Sequence, residues 1–505
     1  MELSTIQILA AFASTFVSYC IYKAVYNLYF HPLAKFPGPR WVAASYLAEF
    51  YYDIVRGGQY FKKIIEMHEK YGPIVRITPH ELSLNDPFFY DKVFSSSAQK
   101  RDKDRYQTTQ GGLPSTAITT IDHDLHRQRR GYVSHLFSKK AISSLEPIIQ
   151  SKVDLLVSKL KQAHAKQETL AGAFVFAALT TDVVTHFAYG ESFNELSKPG
   201  FPCELVNVMR GLLLSCHWRR FFPTLDVMLN RLPARVLTWL DPNLIAYLQF
   251  DSYLTQLSQD ALDKNRKASL SEKPRTLFDA LANPEIPVQE RTLERMKNES
   301  AVVLLAGLDT TARFLMVMTA YLVEFPDVLA KLREEMRGLE EKGVEKPSWT
   351  QLEGLPYLTA FIYESLRYRC YLTGRFSRVP LQPLAYKEWV IPAQTTIVGI
   401  PYLMNSHPDV FPDPDTFRPE RWIEATARGE HLEKYLVTFS KGSRICLGIN
   451  LAYAELYLTV AALAKNFELE LVGSTLEDIN SHRDFGLGFN KEYDFGVDFR
   501  VKRVL

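Results

Sequence analysis

Ten residues near the C-terminus, Phe439 to Gly448 (FSKGSRICLG), constrain this chain more than any other segment. They run directly into INLAYAELYLTVAALA, whose apolar spacing and propensity are those of a buried helix, so Cys446 stands where a loop enters a helix. At such a position the helix dipole and the free backbone N–H groups stabilise a thiolate. Gly442 and Gly448 let the backbone approach a flat ligand with no Cβ in the way. A sulfur so placed suits a metal better than a disulfide. The other cysteines are Cys20, Cys203, Cys216 and Cys370, and no C-x-x-C pair occurs. That set is too sparse for a disulfide framework or a four-ligand zinc site, and it fits a reducing compartment. The pattern F-x-x-G-x-R-x-C-x-G fixes five residues in ten, a chance match of about one in several thousand for a chain this long.

Three further blocks need a reason. Glu364 and Arg367 share one face of a helical pattern that begins near Leu355-Pro356-Tyr357-Leu358. Alone, the pair reads as a surface ion pair worth about 0.3–0.5 kcal/mol, and a second E-x-x-R, Glu334 to Arg337, fits that description. Downstream of Glu364, however, HPDVFPDPDTFRPERW carries four prolines that force an irregular segment ending in Arg421 and Trp422. The helix Glu299 to Phe325 has an uncharged run, Ala301 to Leu308, too short to cross a bilayer, followed by Asp309, Thr310 and Thr311. One reading of this insert is a core kink with Thr310 bonded to the Ala306 carbonyl. The other is a groove, floored by Ala306 and Gly307, where a ligand crosses the helix. Finally, IDHDLHRQRRG puts His126 and Arg130 four apart; a metal site built from His123, Asp124 and His126 is the rival use of that segment.

The thiolate loop resembles the haem-binding loop of the cytochrome P-450 family, the haem-thiolate monooxygenases, and every specified position matches. The resemblance extends through the chain in the family's order and implies a mainly α fold with a minor β portion. It makes Cys446 the proximal iron ligand of a haem b, Arg444 a partner of a haem propionate, and Phe439 a ring packed near the sulfur that tunes its potential. Glu364, Arg367 and Arg421 would form a structural triad that locks the loop presenting Cys446. Thr310 would hold the oxygen molecule and Asp309 would feed the protons that split it. His126 replaces the family's usual Trp, and Arg130 four residues on would contact a propionate. In GRFSRVP, Arg378 is the further propionate partner, with Arg375 as the alternative. Substrate would face the 106–120 loop, the Val302 to Thr310 face, Leu372 to Phe376 and the turn near Leu487. The narrower likeness is to fungal microsomal members of secondary metabolism, similar to the trichodiene-oxygenase group. It implies an apolar small-molecule substrate of terpenoid, polyketide or alkaloid class, and electrons from NADPH through NADPH-cytochrome P-450 reductase, with cytochrome b5 as a second donor.

Ahead of all this lies LSTIQILAAFASTFVSYCIY, uncharged over 20 residues, or roughly 30 Å as a helix, enough to span a bilayer. Lys23, Lys35 and Arg40 follow it, which places the remainder on the cytoplasmic side. The organisation read from the sequence is therefore a single-pass anchor and flank over 1–30, a proline-rich hinge over 31–40, and a catalytic domain over 41–505. The expected location is the endoplasmic reticulum membrane, with that domain in the cytosol. Lys+Arg 59 against Asp+Glu 57, net +2, gives no whole-chain attraction for nucleic acid. A local basic patch of Arg127, Arg129, Lys139, Lys140 and Lys441 would receive the reductase. The stretch GLLLSCHWRRFFPTLDVMLNRLP reads either as a lid touching substrate and membrane or as ordinary packing. Two other functions compete: a haem-thiolate isomerase or dehydratase that needs no reductase, and a non-haem anchored protein.

Overall fold

The computed structural model describes residues 5–96, 98–224, 228, 232–233, 235–236, 244–267, 276–494 and 496–505. The elements that position the site begin with α1 (Thr5–Val25), β1 (Ile74–Arg76), β2 (Glu81–Leu84), β3 (Arg101–Asp102) and α2 (His123–Val133). Then come α3 (Lys139–Lys166), α4 (Gly172–Tyr189), α5 (Cys216–Phe221), α6 (Leu293–Glu324) and α7 (Pro356–Arg367). The last are β4 (Phe376–Pro380), β5 (Thr396–Gly399), α8 (Ile449–Asn466), β6 (Arg483–Asp484) and β7 (Gly488–Phe489).

α6 is the axis of the helical part. Thr292 caps it by accepting from the Arg295 N–H at 3.2 Å. Leu308 and Leu315 of α6, Phe176 and Val183 of α4, and Leu456 and Val460 of α8 meet in one core cluster. Each such fully buried side chain contributes about 1.5–3 kcal/mol. The helical periodicity of the sequence runs unbroken over 291–342 and over 351–369, and the structure breaks both. The 291–342 run stops at Phe325 because Pro326 cannot donate and keeps its predecessor out of helical geometry, and a new helix starts at Pro326. Pro356 splits the 351–369 run in the same way, after Glu353.

The principal sheet has the order β1-β2-β5-β4-β3. The alternation of apolar and polar positions over Ile74 to Leu84 predicts a hairpin, and β1 and β2 form one, antiparallel; β2 runs parallel to β5, and Arg378 of β4 lies opposite Ile397 of β5. Arg375 and Arg378 are three apart, so their side chains leave the strand in different directions. Arg375 turns into a buried ionic cluster: it donates to Glu49 and to Glu81 at 3.2 Å. Arg220 of α5 reaches Asp53 at 2.5 Å and Glu49 at 3.1 Å in the same cluster. His217 of α5 joins it; burial pulls its imidazole down, but Asp53 outweighs this and raises it to about 9. The α5 portion of the GLLLSCHWRRFFPTLDVMLNRLP segment is thus tied inward by Arg220 and His217, while Trp218 and Phe222 stay exposed. Residues 225–227 and 229–231 of that segment lie outside the described residues.

No α1 residue is buried. The contrast with α6 is instructive, since both pass a length and hydropathy test for a membrane span, yet α6 is largely buried inside the protein. The segment expected as a hinge behaves differently from a free connector. Asn27 is buried and donates to the Ala44 carbonyl at 2.9 Å, and Arg76 donates to the Asn27 carbonyl at 2.9 Å. The Arg76 N–H reaches the Pro37 carbonyl, and Leu33 and Phe36 are buried. Packing onto the body therefore begins at residue 26, not after residue 30. Deleting residues 1–25 is expected to shift the protein toward the soluble fraction with its melting temperature intact. Deleting 1–30 also strips a carbonyl from buried Arg76 and is expected to cost about 1–3 kcal/mol. Thermal melts of the two truncations check this; identical melting temperatures would return the boundary to residue 30.

Candidate active site

Gly442 opens the thiolate loop with φ 73°, and a Cβ there would lie 2.1 Å from the Ser95 carbonyl oxygen. Its glycine is required by backbone approaching backbone, which corrects the expectation of a flat ligand at that point; Gly448 has open space around it. The Cys446 N–H closes the loop on the Phe439 carbonyl at 2.8 Å. α8 starts at Ile449 with no side chain capping it, leaving its first N–H groups toward the loop. Cys446 is exposed, yet burial is the main influence on its thiol and pushes it up, opposed by the Gly448 N–H and the Arg130 guanidinium. Accessibility at such depth means that the residue faces an internal space. Phe439 packs on Tyr453 of α8, ring centroids 5.1 Å apart.

Above that space lies a nest of cations. Arg444 donates to the carbonyls of Thr120 and Ile121, both at 2.7 Å, and its Nε has no partner. Arg378 reaches the Ser440 hydroxyl at 3.3 Å and lies over the Phe94 ring. Burial lowers both guanidiniums to about 10, Arg444 being pushed further by Arg378. Buried His126 has a partnerless Nδ1, and burial, then Arg444 and Lys103, lower it to about 3, so it is neutral. Lys103 donates to the Ile118 carbonyl, and burial drives its ammonium well below the usual range. Among the described residues none of these cations forms an ion pair with a carboxylate. Arg130 behaves otherwise: it donates to the Ile445 carbonyl at 2.7 Å, beside Cys446 in the loop itself.

Across from it, Ala306 is exposed in the middle of α6, between buried Leu305 and Leu308. Gly307, expected as part of the groove floor, instead lets α6 close on α4, since a Cβ would sit 2.8 Å from Val184. The Thr310 hydroxyl donates to the Ala306 carbonyl at 2.8 Å. Asp309 accepts from Arg313 Nε at 2.8 Å. Further back, Glu364 takes Arg367 on both oxygens, at 2.7 and 2.9 Å, and Arg421 at 3.1 Å. Two partners escaped the sequence reading: Trp422 Nε1–H at 2.9 Å and the Arg418 backbone N–H at 2.9 Å. From Arg367 a bonded path runs through Asn405, whose Oδ1 accepts from Val437 N–H at 3.0 Å, two residues before Phe439. Glu334 and Arg337 sit exposed on a surface helix.

The family model described as Cytochrome P450 matches residues 37–493. The chain belongs to the cytochrome P450 family. Its similar relatives include the cytochrome P450 monooxygenase pbrB of Penicillium brasilianum, 37% identical over 98% of this chain and 97% of that protein. The conidiogenone synthase PchP450 of Penicillium rubens is 38% identical over 97% and 98%. The cytochrome P450 monooxygenase TRI4 of Fusarium sporotrichioides is 39% identical over 93% and 90%. A retinoic acid-bound cyanobacterial structure, CYP120A1, shares the fold with a TM-score of 0.66 at 18% identity, covering 87% of this chain and 94% of that one. This protein is thus a P450 monooxygenase with the P450 fold.

P450 membership implies a haem with a thiolate ligand and electrons from a redox partner. The residues present fit that group: an exposed cysteine at a helix N-terminus stands beside cations that form no ion pair among the described residues, with two buried nitrogens that have no partner, His126 Nδ1 and Arg444 Nε. Two carboxylates would satisfy them. Lys103 was missed because, within RDKDRY, it reads as part of a solvated charge run. Arg375 is withdrawn as a candidate, since three carboxylates surround it. The rival metal site disperses: His123 bonds Arg101, and Asp124 pairs with Lys100 on the surface. The expected basic patch is reduced, because Arg129 pairs with Glu290, Lys139 with Glu353 and Lys441 with Asp91, leaving exposed Arg127 and Lys140 as its members with no ion pair among the described residues.

Proposed function

We propose that this P450 inserts one oxygen atom from O2 into an apolar small molecule in a fungal biosynthetic pathway. It would sit in the endoplasmic reticulum membrane through α1, with the catalytic body in the cytosol. NADPH-cytochrome P-450 reductase would supply the electrons and cytochrome b5 a second route. The observation that carries this reading is the exposed Cys446 at the start of a helix, beside a cluster of cations, Arg444, Arg378 and Lys103, that form no ion pair among the described residues. In it Cys446 is the axial ligand; Arg444, Arg378, Lys103 and His126 hold the propionates; and Arg130 steadies the thiolate from the Ile445 side. Haem, when bound there, supplies the oxygen-activating chemistry.

The chain's own residues position, exclude water and move protons. Phe439, packed on Tyr453 of α8, would cover the α8 side of the thiolate loop. The 113–120 loop closes over the α6 face because Glu299 accepts from the Ala117 N–H at 2.9 Å and Arg295 donates to the Ser115 carbonyl at 2.8 Å. Thr310 donates its only proton to Ala306, so its oxygen remains an acceptor in the cavity, and Asp309 beside it can carry protons from solvent. An isomerase or dehydratase would have no use for that acid and alcohol. The test begins with deletion of the gene in the producing organism and isolation of the accumulated precursor. That precursor is then fed to enzyme and reductase under 18O2. One labelled atom per product, dependent on NADPH, is expected; unlabelled product formed without reductase would overturn the reading.

A further inference from the structure

Four charged side chains form a row from α2 to the first turns of α6 and meet the 113–121 stretch from one side. Glu290, just before α6, takes Arg129 of α2 on its two carboxylate oxygens, at 2.8 and 3.0 Å, and Arg295 at 2.7 Å. Arg295 in turn donates to Glu299 at 2.5 Å. Burial pushes the Glu290 carboxyl up, but hydrogen bonds from the two arginines outweigh it and hold it below the usual carboxylate range, so the row alternates in charge. Three members also grip the loop: Glu299 accepts from the Ala117 N–H at 2.9 Å, Arg295 donates to the Ser115 carbonyl at 2.8 Å, and Arg129 donates to the Thr120 hydroxyl at 2.9 Å. The cations assigned to the propionates bond the same loop from its other side. Arg444 donates to the carbonyls of Thr120 and Ile121 at 2.7 Å and of Asp122 at 3.3 Å. The Lys103 backbone N–H donates to Ile121 and its ammonium to the Ile118 carbonyl. Thr120 is where the two sets meet, with its side chain on Arg129 and its carbonyl on Arg444.

We propose that Arg129, Glu290, Arg295 and Glu299 are positioning residues for the cofactor: the row fixes the 113–121 loop, and the loop's carbonyls aim Arg444 and Lys103 at the haem carboxylates. The inference rests on the reading of Arg444 and Lys103 as propionate partners and adds to it what sets their direction. Stability alone is a poor reason for such a row. Arg295 and Glu299 are buried, and the desolvation of buried charges largely offsets their attraction, so apolar side chains of the same volume would hold the loop as firmly. What the charges add is direction. A guanidinium fork bonds along fixed N–H vectors, so a loop gripped by Arg129 and Arg295 has one register, whereas an apolar contact would let it slide. Arg444 leans on three consecutive carbonyls of that loop, and its guanidinium goes where they go. Those carbonyls are neutral, which leaves the positive charge free to meet a carboxylate, and the planar fork rewards only an aligned one.

The test follows transfer of haem from the full-length enzyme to excess apomyoglobin, and repeats it with enzyme loaded with haem dimethyl ester, in which both carboxylates are neutral esters. Glu290→Gln removes the charge at the less buried carboxylate of the row. It is expected to speed haem transfer about tenfold, the factor that one charge-assisted hydrogen bond is worth, and to leave transfer of the ester unchanged. Arg129→Lys keeps the charge but cannot hold both Glu290 oxygens and the Thr120 hydroxyl together, and should give a smaller rise. Hydrogen exchange of residues 115–121 should quicken in both variants. A merely structural role would loosen the protein around either ligand, so an equal rise for haem and ester would overturn the proposal. So would wild-type haem transfer in a folded Glu290→Gln, or in Arg129→Lys should the glutamine variant not fold. A wild-type enzyme that releases haem and its ester at the same rate would overturn the reading of Arg444 and Lys103 as carboxylate partners, and the role of the row with it.

Discussion

Cys446→Ala is expected to abolish the thiolate-type red-shifted Soret band in the carbon monoxide difference spectrum of the reduced protein, and reductase-supported turnover with it. The other described cysteines offer no substitute: Cys203, Cys216 and Cys370 are buried, and Cys20 lies on α1. The loop itself should survive the change, because it is closed by backbone, from the Cys446 N–H to Phe439 and from Ser443 to Ser95. Haem retained by the cationic nest alone would then show an unshifted band. Cys446→Ser separates shape from chemistry: it restores the volume and offers an oxygen, so spectra like those of the alanine variant would assign the effect to sulfur. A red-shifted band in either variant would remove Cys446 from the axial position.

Glu364→Gln is expected to be the most damaging substitution far from the pocket. One carboxylate there serves two buried guanidiniums, a buried indole N–H and the part-buried backbone N–H of Arg418. An amide of the same shape keeps one acceptor and adds two donors where only donors already point. Breaking a buried ion pair costs about 3–5 kcal/mol, against a total stability of about 5–15 kcal/mol for a folded protein. Little holoprotein should accumulate. What does fold should melt far below wild type and carry substoichiometric haem, since the bonded path from Arg367 through Asn405 ends at Val437, just before the thiolate loop. Arg421→Lys keeps a charge and should lie between. A Glu364→Gln protein with wild-type melting temperature and haem-to-protein ratio would show that the triad is dispensable for presenting the loop.

Local signals carried far. The α6 and α8 periodicities, the β1–β2 alternation and the Cys446 loop were legible because each is written in consecutive residues. So was the distinction between two E-x-x-R pairs, because prolines downstream of Glu364 forced a segment to fold back. What failed to show is long-range by nature. Arg375 and Arg378 differ only in which face of a strand edge they leave, and the three carboxylates that hold Arg375 come from two distant segments. Lys103 joins the haem-side nest only because β3 pairs with β4. Arg129, Lys139 and Lys441 looked free because their acidic partners are more than 150 residues away in sequence. The bond from the Ala117 N–H to Glu299 spans 182 residues in sequence and had no local trace.

The clamp formed by Asn27, Arg76 and Pro37 bears on how this enzyme searches for its partners. A body on a loose tether samples every tilt above a bilayer, and a productive encounter must then find three rotational angles. Here the chain leaves α1 directly into packed structure, so with α1 in a membrane the body turns only as the span turns. Tilt is inherited from the helix, and the remaining freedom is spin about the membrane normal together with lateral drift. Encounter with a reductase anchored in the same bilayer becomes a search in a plane with one angle left to match.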